Sequence, residues 1–376
     1  MTAPAQTGGL PILSALSVPA RAFLLGTVAI SLVGIFLRYA TGVDDTVLFI
    51  VSALGILGLA WTVGLSTERL GSLTGPQVGG VLNATFGNIA ELIIAFFALR
   101  EGLVEVVKAS LTGSIIGNLL LVLGASVLIG GLRHGTQTFS ARVAASNAAL
   151  LVVAVIGLFV PAVFAFTSGS SEGTVTEESV LVSIALIVGY ALALVYQFTN
   201  PDATLGGHGD SAGHGGPAWT ARGAIVVLVA SAALLAVLSE ILVGSIEGFI
   251  EQFGLSEFFV GVVIIPTIGN LAEHLVAVQL AYKNKIEFAM AVSFGSSLQV
   301  ALFVAPVLVI VGVIIGQPMD LVFQPLEIAA VGVAVAIAAL IALDGESNWL
   351  EGALLMLIYL IIAISFFELR LPIETL

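Results

Sequence analysis

Two glutamates stand in matched settings, Gly87-Asn88-Ile89-Ala90-Glu91 and Gly269-Asn270-Leu271-Ala272-Glu273. Each lies inside a long apolar run that contains no Lys or Arg. An ionised carboxylate at such a depth costs about 3 kcal/mol or more unless it is paired or hydrated. Two buried like charges need a shared counterion, and a divalent cation supplies it without remainder. Each can instead take a proton. The two ways of removing the charge exclude one another, and that exclusion is a physical basis for exchange.

The neighbouring residues suit a hard cation. Asn88 and Gly87 precede Glu91 by three and four residues, and so share its face of a helix, as Asn270 and Gly269 do with Glu273. Gly87 and Gly269 are expected to weaken the helix locally, and Pro266 removes a backbone bond in the second copy. Irregular backbone there can turn carbonyl oxygens toward a water-filled cavity. The next apolar runs add Ser114 with Asn118, and Ser296 with Gln299. Two carboxylates with amide, hydroxyl and carbonyl oxygens form a flexible all-oxygen set that matches Ca²⁺ better than Mg²⁺. No Cys and only four His argue against a soft metal.

These residues sit in a repeat. Sliding the chain by 182 residues lays 77–122 on 259–304 without a gap, with 15 of 46 positions identical. Thr85/Thr267, Gly87/Gly269, Asn88/Asn270, Glu91/Glu273, Gly113/Gly295 and Ser114/Ser296 are among them. Apolar residues match by chance between any two membrane segments, but Gly-Asn-x-Ala-Glu in register does not. Gly113 and Gly117 form a small-xxx-small pair, read as helix packing.

The elements that must carry the repeat are membrane helices. Of 376 residues, 59% are apolar and 9% charged, too few charges to cover a soluble protein of this size. Apolar segments run at 20–40, 46–65, 77–99, 103–131, 140–166, 178–198, 221–246, 258–281, 285–315, 322–343 and 348–369. At ~1.5 Å per residue each crosses a ~30 Å hydrocarbon core as a helix. The expected fold is an all-α polytopic membrane protein of eleven helices, in lipid. The first copy falls in span three and the second in span eight. A unit of five spans is odd, so the two units have opposite orientation, the inverted-repeat plan of secondary transporters. The expected organisation is one extra helix (1–45), a first five-helix repeat (46–199), a flexible linker (200–220) and a second repeat (221–376). The linker carries His208 and His214 among glycines, which hold no ligand geometry.

Basic residues orient the chain. A cytoplasmic N-terminus puts Arg21, Arg69, Arg133, Arg142, Arg222, Lys283 and Lys285 inside, against Arg38, Arg100, Lys108 and Arg370 outside. Seven against four favours that orientation, with the C-terminus external. The net charge of −13 argues against nucleic acid as a partner. No leading positive region marks a cleaved signal peptide, so the first span is expected to stay in the membrane. Glu327 follows Pro325 in the first turn of its span, where the helix dipole favours an anion. Asn348 with Glu351 reads as a capping box and Trp349 as an interface anchor.

The segments NATFGNIAELIIAFFAL, PTIGNLAEHLVAVQLAYKNKIEFAMAVSFGSSLQVALFV and DGESNWLEGALLMLIYLIIAISFF resemble the calcium/proton exchangers of the calcium/cation antiporter superfamily. The resemblance implies one Ca²⁺ held between Glu91 and Glu273, which protonate when it leaves. Backbone oxygens near Gly87 and Gly269 would join them, with Asn88, Asn270, Ser114, Ser296 and Gln299 lining the site. His274 matches the second repeat of the family, and both a gating or proton-handling imidazole and a helix-packing one fit it. Glu240, near the interface opposite Arg222, resembles the family's cation-access position. The linker lacks the acidic helix that relatives often carry there.

The expected function is secondary active antiport of Ca²⁺ against H⁺ by alternating access, with no enzymatic chemistry and no cofactor, in a prokaryotic-type plasma membrane. Two rivals remain: a Na⁺/Ca²⁺ exchanger or other divalent-cation transporter on the same fold, and a cation channel. The lack of further acidic residues around the repeats disfavours separate Na⁺ sites.

Overall fold

A computed structural model describes residues 17–74, 82, 85–169, 171–200 and 220–369. The linker residues 201–219 with His208 and His214, most of the approach to Gly87 (75–81, 83 and 84), and Arg370 lie outside the described residues. The rest is helical. Lipid offers backbone N–H and C=O groups no partners, so long apolar runs satisfy them internally.

In chain order the helices are α1 (Val18–Ala40), α2 (Asp45–Thr74), α3 (Ile89–Arg100), α4 (Val104–His134), α5 (Ala141–Ser168) and α6 (Glu172–Thr199). After the linker come α7 (Ala221–Val243), the short α8 (Ile246–Phe253), α9 (Glu257–Tyr282), α10 (Ile286–Ile315), α11 (Pro325–Ala342) and α12 (Trp349–Glu368). Ten of them are long and apolar enough to cross a membrane among the described residues. The exceptions are α8 and α3. The latter has 12 residues, about 18 Å, too short to span alone. The third expected span is thus broken: the chain turns at Gly87-Asn88 before α3 begins.

The ends of the helices follow local chemistry. Ser17, Ser140, Thr220 and Ser256 each accept a first-turn N–H with their side-chain oxygen. Asn348 and Glu351 form the expected capping box at α12, with Trp349 exposed beside it. Glu327 forms a second one with Gln324 at α11.

Burial sorts the helices into a centre and a rim. Over the most apolar stretch of α4, 72% of residues are buried inside the protein, against 17% for α1 and α12. By the same measure α2 and α10 (56% each) and α9 (50%) join α4 in the centre, and α4, α9 and α10 each contain a π-helical turn: Gly117–Val122, Val260–Ile264 and Val300–Val304. The starts of α4 and α10, and of their π turns, lie 182–183 residues apart, the spacing of the sequence repeat. Helix α1 packs on α2 and α7, at the rim. Two-residue strands β1 (Gln137–Thr138) and β2 (Glu346–Ser347) pair antiparallel, with Gln137 opposite Ser347.

One expectation changes here. Gly269 lies within a continuous helix, not at a break. The irregularity in α9 sits just upstream, because Pro266 has no N–H for the carbonyl of Val262, and the chain widens into a π turn before it. Gly113 meets that carbonyl: a Cβ on Gly113 would lie 2.0 Å from the Val262 oxygen. Gly113 is therefore a packing glycine, whereas Gly117 has nothing within 4 Å of an added Cβ.

The crossing of α12 on α4 depends equally on a missing side chain. An added Cβ at Gly352 would sit 2.2 Å from the Leu128 nitrogen and 2.6 Å from the Gly124 oxygen, both backbone atoms that cannot swing away. Gly352→Val is expected to destabilise the protein by about 1–3 kcal/mol. Gly189→Ala, at an open position of α6, should be neutral or stabilising by up to ~1 kcal/mol. Thermal unfolding in detergent measures both.

Candidate functional site

The break before α3 has a chemical consequence. Asn88 is the N-cap residue, and its side chain makes no capping bond. Glu91 falls in the first turn, where the positive end of the helix dipole favours an anion. Glu91 is 5% exposed, and both carboxylate oxygens are buried without a hydrogen-bond partner among the described residues. The carboxylate leans on α9 at Gly269, where an added Cβ would lie 3.1 Å from Glu91 Cγ. Gly269 thus serves close approach of the two helices, rather than a helix break.

Glu273 stands one turn further along α9, half-buried, close enough for its charge to act on Glu91. The ion pairs among the described residues lie elsewhere, Arg100 with Glu101 and Glu240, and Lys108 with Glu105 and Asp320. Neither central glutamate has a basic partner among those residues.

A crossed network of neutral groups surrounds the pair. Asn88 Nδ2 donates to Gln299 Oε1 at 2.6 Å and, more weakly, to the Ser296 carbonyl at 3.5 Å. Ser296 Oγ donates back to Asn88 Oδ1 at 2.9 Å and accepts from Asn118 Nδ2 at 3.0 Å. Asn270 Nδ2 donates to Ser114 Oγ at 3.2 Å. The asparagine of each half therefore bonds the serine of the other. Asn118 has no counterpart, because Val300 occupies the matching place, and Gln299 has none because Gly117 does.

Beside this network, α4, α9 and α12 meet at a narrow crevice lined by Ser114, Gly117, Thr267, Asn270, His274 and Tyr359 among others. Asn270 Oδ1 and His274 Nε2 are buried there without partners among the described residues. Glu240 is apart from all of this. It is exposed at the end of α7, where Arg100 Nη2 donates to it at 2.6 Å.

The sequence-expected residues thus divide. Glu91, Glu273, Gly269, Asn88, Asn270, Ser114, Ser296 and Gln299 come together, with Gly87 in the turn just before Asn88. His274 opens onto the adjoining crevice, and Glu240 lies at the rim, already paired. No cluster of three or more His, Asp or Glu side chains exists among the described residues, so a cation here needs amide, hydroxyl and carbonyl oxygens to complete its shell.

Residues 45–199 match the sodium/calcium exchanger protein family, and residues 223–367 match it again. The chain belongs to that family. Among curated members, the Ca²⁺/H⁺ antiporter of Aphanothece halophytica is 44% identical over 361 residues, covering 92% of this chain and 95% of that protein. The Ca²⁺/H⁺ antiporter of Synechocystis sp. is 45% identical over 351 residues, covering 88% and 94%. The solved structure of native YfkE, a Ca²⁺/H⁺ antiporter protein, superimposes with a TM-score of 0.79 at 39% identity, covering 93% of this chain and all of that one.

Two residues that line the crevice were not among the expected site residues. Thr267 carried a signal, since it matches Thr85 in the repeat. Tyr359 carried none, because it reaches the crevice from the last helix, far from either motif.

Ser296 is the pivot of the network. Ser296→Ala leaves Asn118 Nδ2 and Asn88 Oδ1 short of a partner, whereas Ser114→Ala strands only Asn270 Nδ2. Each stranded buried group costs about 1–3 kcal/mol, so Ser296→Ala should lower the unfolding temperature in detergent by roughly twice as much as Ser114→Ala.

Proposed function

We propose that this protein is a secondary active antiporter that exchanges Ca²⁺ for H⁺ by alternating access, with Glu91 and Glu273 binding either the cation or protons. The observation that carries this reading is a pair of membrane-depth carboxylates without a basic partner, in a chain that shares 44% identity over nearly its full length with a Ca²⁺/H⁺ antiporter. A divalent cation cancels two negative charges, and so do two protons. The minimal ratio is therefore two H⁺ per Ca²⁺, and the carboxylates titrate as a coupled pair.

Asn88, Asn270, Ser114, Ser296 and Gln299 surround the cation in this reading. The carbonyls near Gly87 add oxygens, and Asn118 joins through Ser296. His274 serves the crevice through which the ion or proton passes. Glu240, paired with Arg100, holds an acidic position at one mouth. Ca²⁺ and H⁺ are cargo, the protein is not an enzyme, and it has no resident cofactor.

The architecture in this reading is one helix plus two inverted five-helix repeats, eleven spans in all, with the broken third span completed by α3. Its divisions are 1–45, 46–199, 200–220 and 221–376. The double family match and the 182-residue spacing of the π turns support it. The seven-to-four distribution of basic residues supports a cytoplasmic N-terminus and an external C-terminus in a plasma membrane.

The test is proteoliposomes under an imposed pH gradient without Na⁺, with Ca²⁺ and internal pH recorded together. Uphill Ca²⁺ movement with opposite H⁺ flow is expected. Movement only with Na⁺ would replace the coupling ion, and downhill leakage alone would mean a channel. Glu91→Gln and Glu273→Gln should each reduce coupled flux to that of empty vesicles. Glu91→Gln should leave unfolding in Ca²⁺-free detergent unchanged or raise its temperature, because it removes an unpaired buried charge. Coupled flux retained in both single variants would overturn the two-glutamate site.

A further inference from the structure

Two interhelical segments occupy matching positions of the repeat and bury alternate side chains. Residues 317–324, between α10 and α11, bury alternate side chains, Met319, Leu321 and Phe323. Gln137 and Phe139, 182 residues before Met319 and Leu321, are buried in the segment between α4 and α5. The segments are alike in placement and differ in what ties them down.

Neutral hydrogen bonds hold the segment at Gln137. It pairs with β2, Phe139 N donates to the Gly345 carbonyl at 2.9 Å, and Gln137 Nε2 donates to Asn284 Oδ1 at 2.8 Å. The segment at Asp320 is held by a charge. Lys108 Nζ on α4 lies 2.7 Å from Asp320 Oδ1 and 3.4 Å from Glu105 Oε1, and donates to the Val322 carbonyl at 3.0 Å. Ser179 Oγ accepts from Leu321 N on the other side, and Thr112 Oγ1 donates to the buried Glu327 just beyond. Lys108 is only 5% exposed, while the Asp320 side chain is 32% exposed.

The repeat supplies its own control. Met290 and Phe294 stand where Lys108 and Thr112 stand, fully buried, and Thr138 stands where Asp320 does. An apolar residue can therefore fill this position, so packing alone does not call for a lysine there, whereas removing one partner of a buried ion pair leaves the other uncompensated. A buried ion pair differs from apolar packing in another respect: when the segment lifts, water solvates both charges. The contact then has two discrete arrangements, the property required of an element that biases a conformational equilibrium.

We propose that Lys108 and Asp320 are positioning residues for the exchange cycle. Their ion pair latches residues 317–324 against α4, six residues before Ser114, and sets how often the mouth there opens. This rests on the alternating-access reading, in which the mouth is the external one.

The chain has no cysteine, so Leu321→Cys gives a single thiol beneath the latch for a membrane-impermeant maleimide in proteoliposomes. Adding Lys108→Met or Asp320→Asn should speed labelling about tenfold, by raising the population of the open state. The KM for Ca²⁺ offered at that face should fall while the KM at the opposite face rises. Lys108→Arg should keep labelling slow. Where Lys108→Met fails to fold, Asp320→Asn, at the more exposed partner, carries the test. Unchanged labelling in a folded neutral variant, or two KM values that move together, would overturn the latch. Labelling needs no transport, so loss of the exchange reading in wild-type vesicles is separable from loss of the latch.

Discussion

Glu91 leans on α9 at Gly269, one turn from Glu273, within a bundle that gives neither glutamate a basic partner among the described residues. Neutral amides and hydroxyls surround the pair, and their hydrogen bonds are mostly satisfied by one another, so the glutamate oxygens are left for something that comes and goes. A lysine at this depth would have closed the account permanently. The basic residue nearest in sequence to Ser114 on α4, Lys108, is engaged instead by Asp320 and Glu105.

Placing two carboxylates so close requires helices to approach more nearly than side chains ordinarily allow. Gly269 admits Glu91 to the face of α9, and Gly113 admits α4 to the carbonyl of Val262. The π turns in α4, α9 and α10 lie at this level, where the regular helical ladder is already disturbed. Such turns are frequent at functional sites because they redirect side chains and free backbone oxygens at small cost.

The two halves share a plan without being copies. Asn88 and Asn270 exchange bonds with Ser296 and Ser114 as a twofold relation would require, yet Asn118 and Gln299 each lack a counterpart. Glu91 begins a helix, and Glu273 sits in the middle of one. Asp320 is latched by a charge where Thr138 is held by strand pairing.

Much of this was legible in the residues alone. Long apolar runs dictate helices, because lipid leaves the backbone no alternative. The Gly-Asn-x-Ala-Glu repeat picked out both glutamates and polar residues that the structure gathers beside them, because polar residues in apolar segments stand out and recur in register. The capping box at Asn348 was equally plain, since its chemistry is local. What the sequence could not say is where the irregular backbone falls. Gly87 and Gly269 occupy the same place in the repeat, yet the helix breaks at one and runs through the other. The ion pairs of Arg100 with Glu240 and Lys108 with Asp320, and the approach of Tyr359 to the crevice, join positions far apart in the chain. Only packing decides them, because periodicity records which face of a helix is apolar and carries no information about which other helix that face will meet.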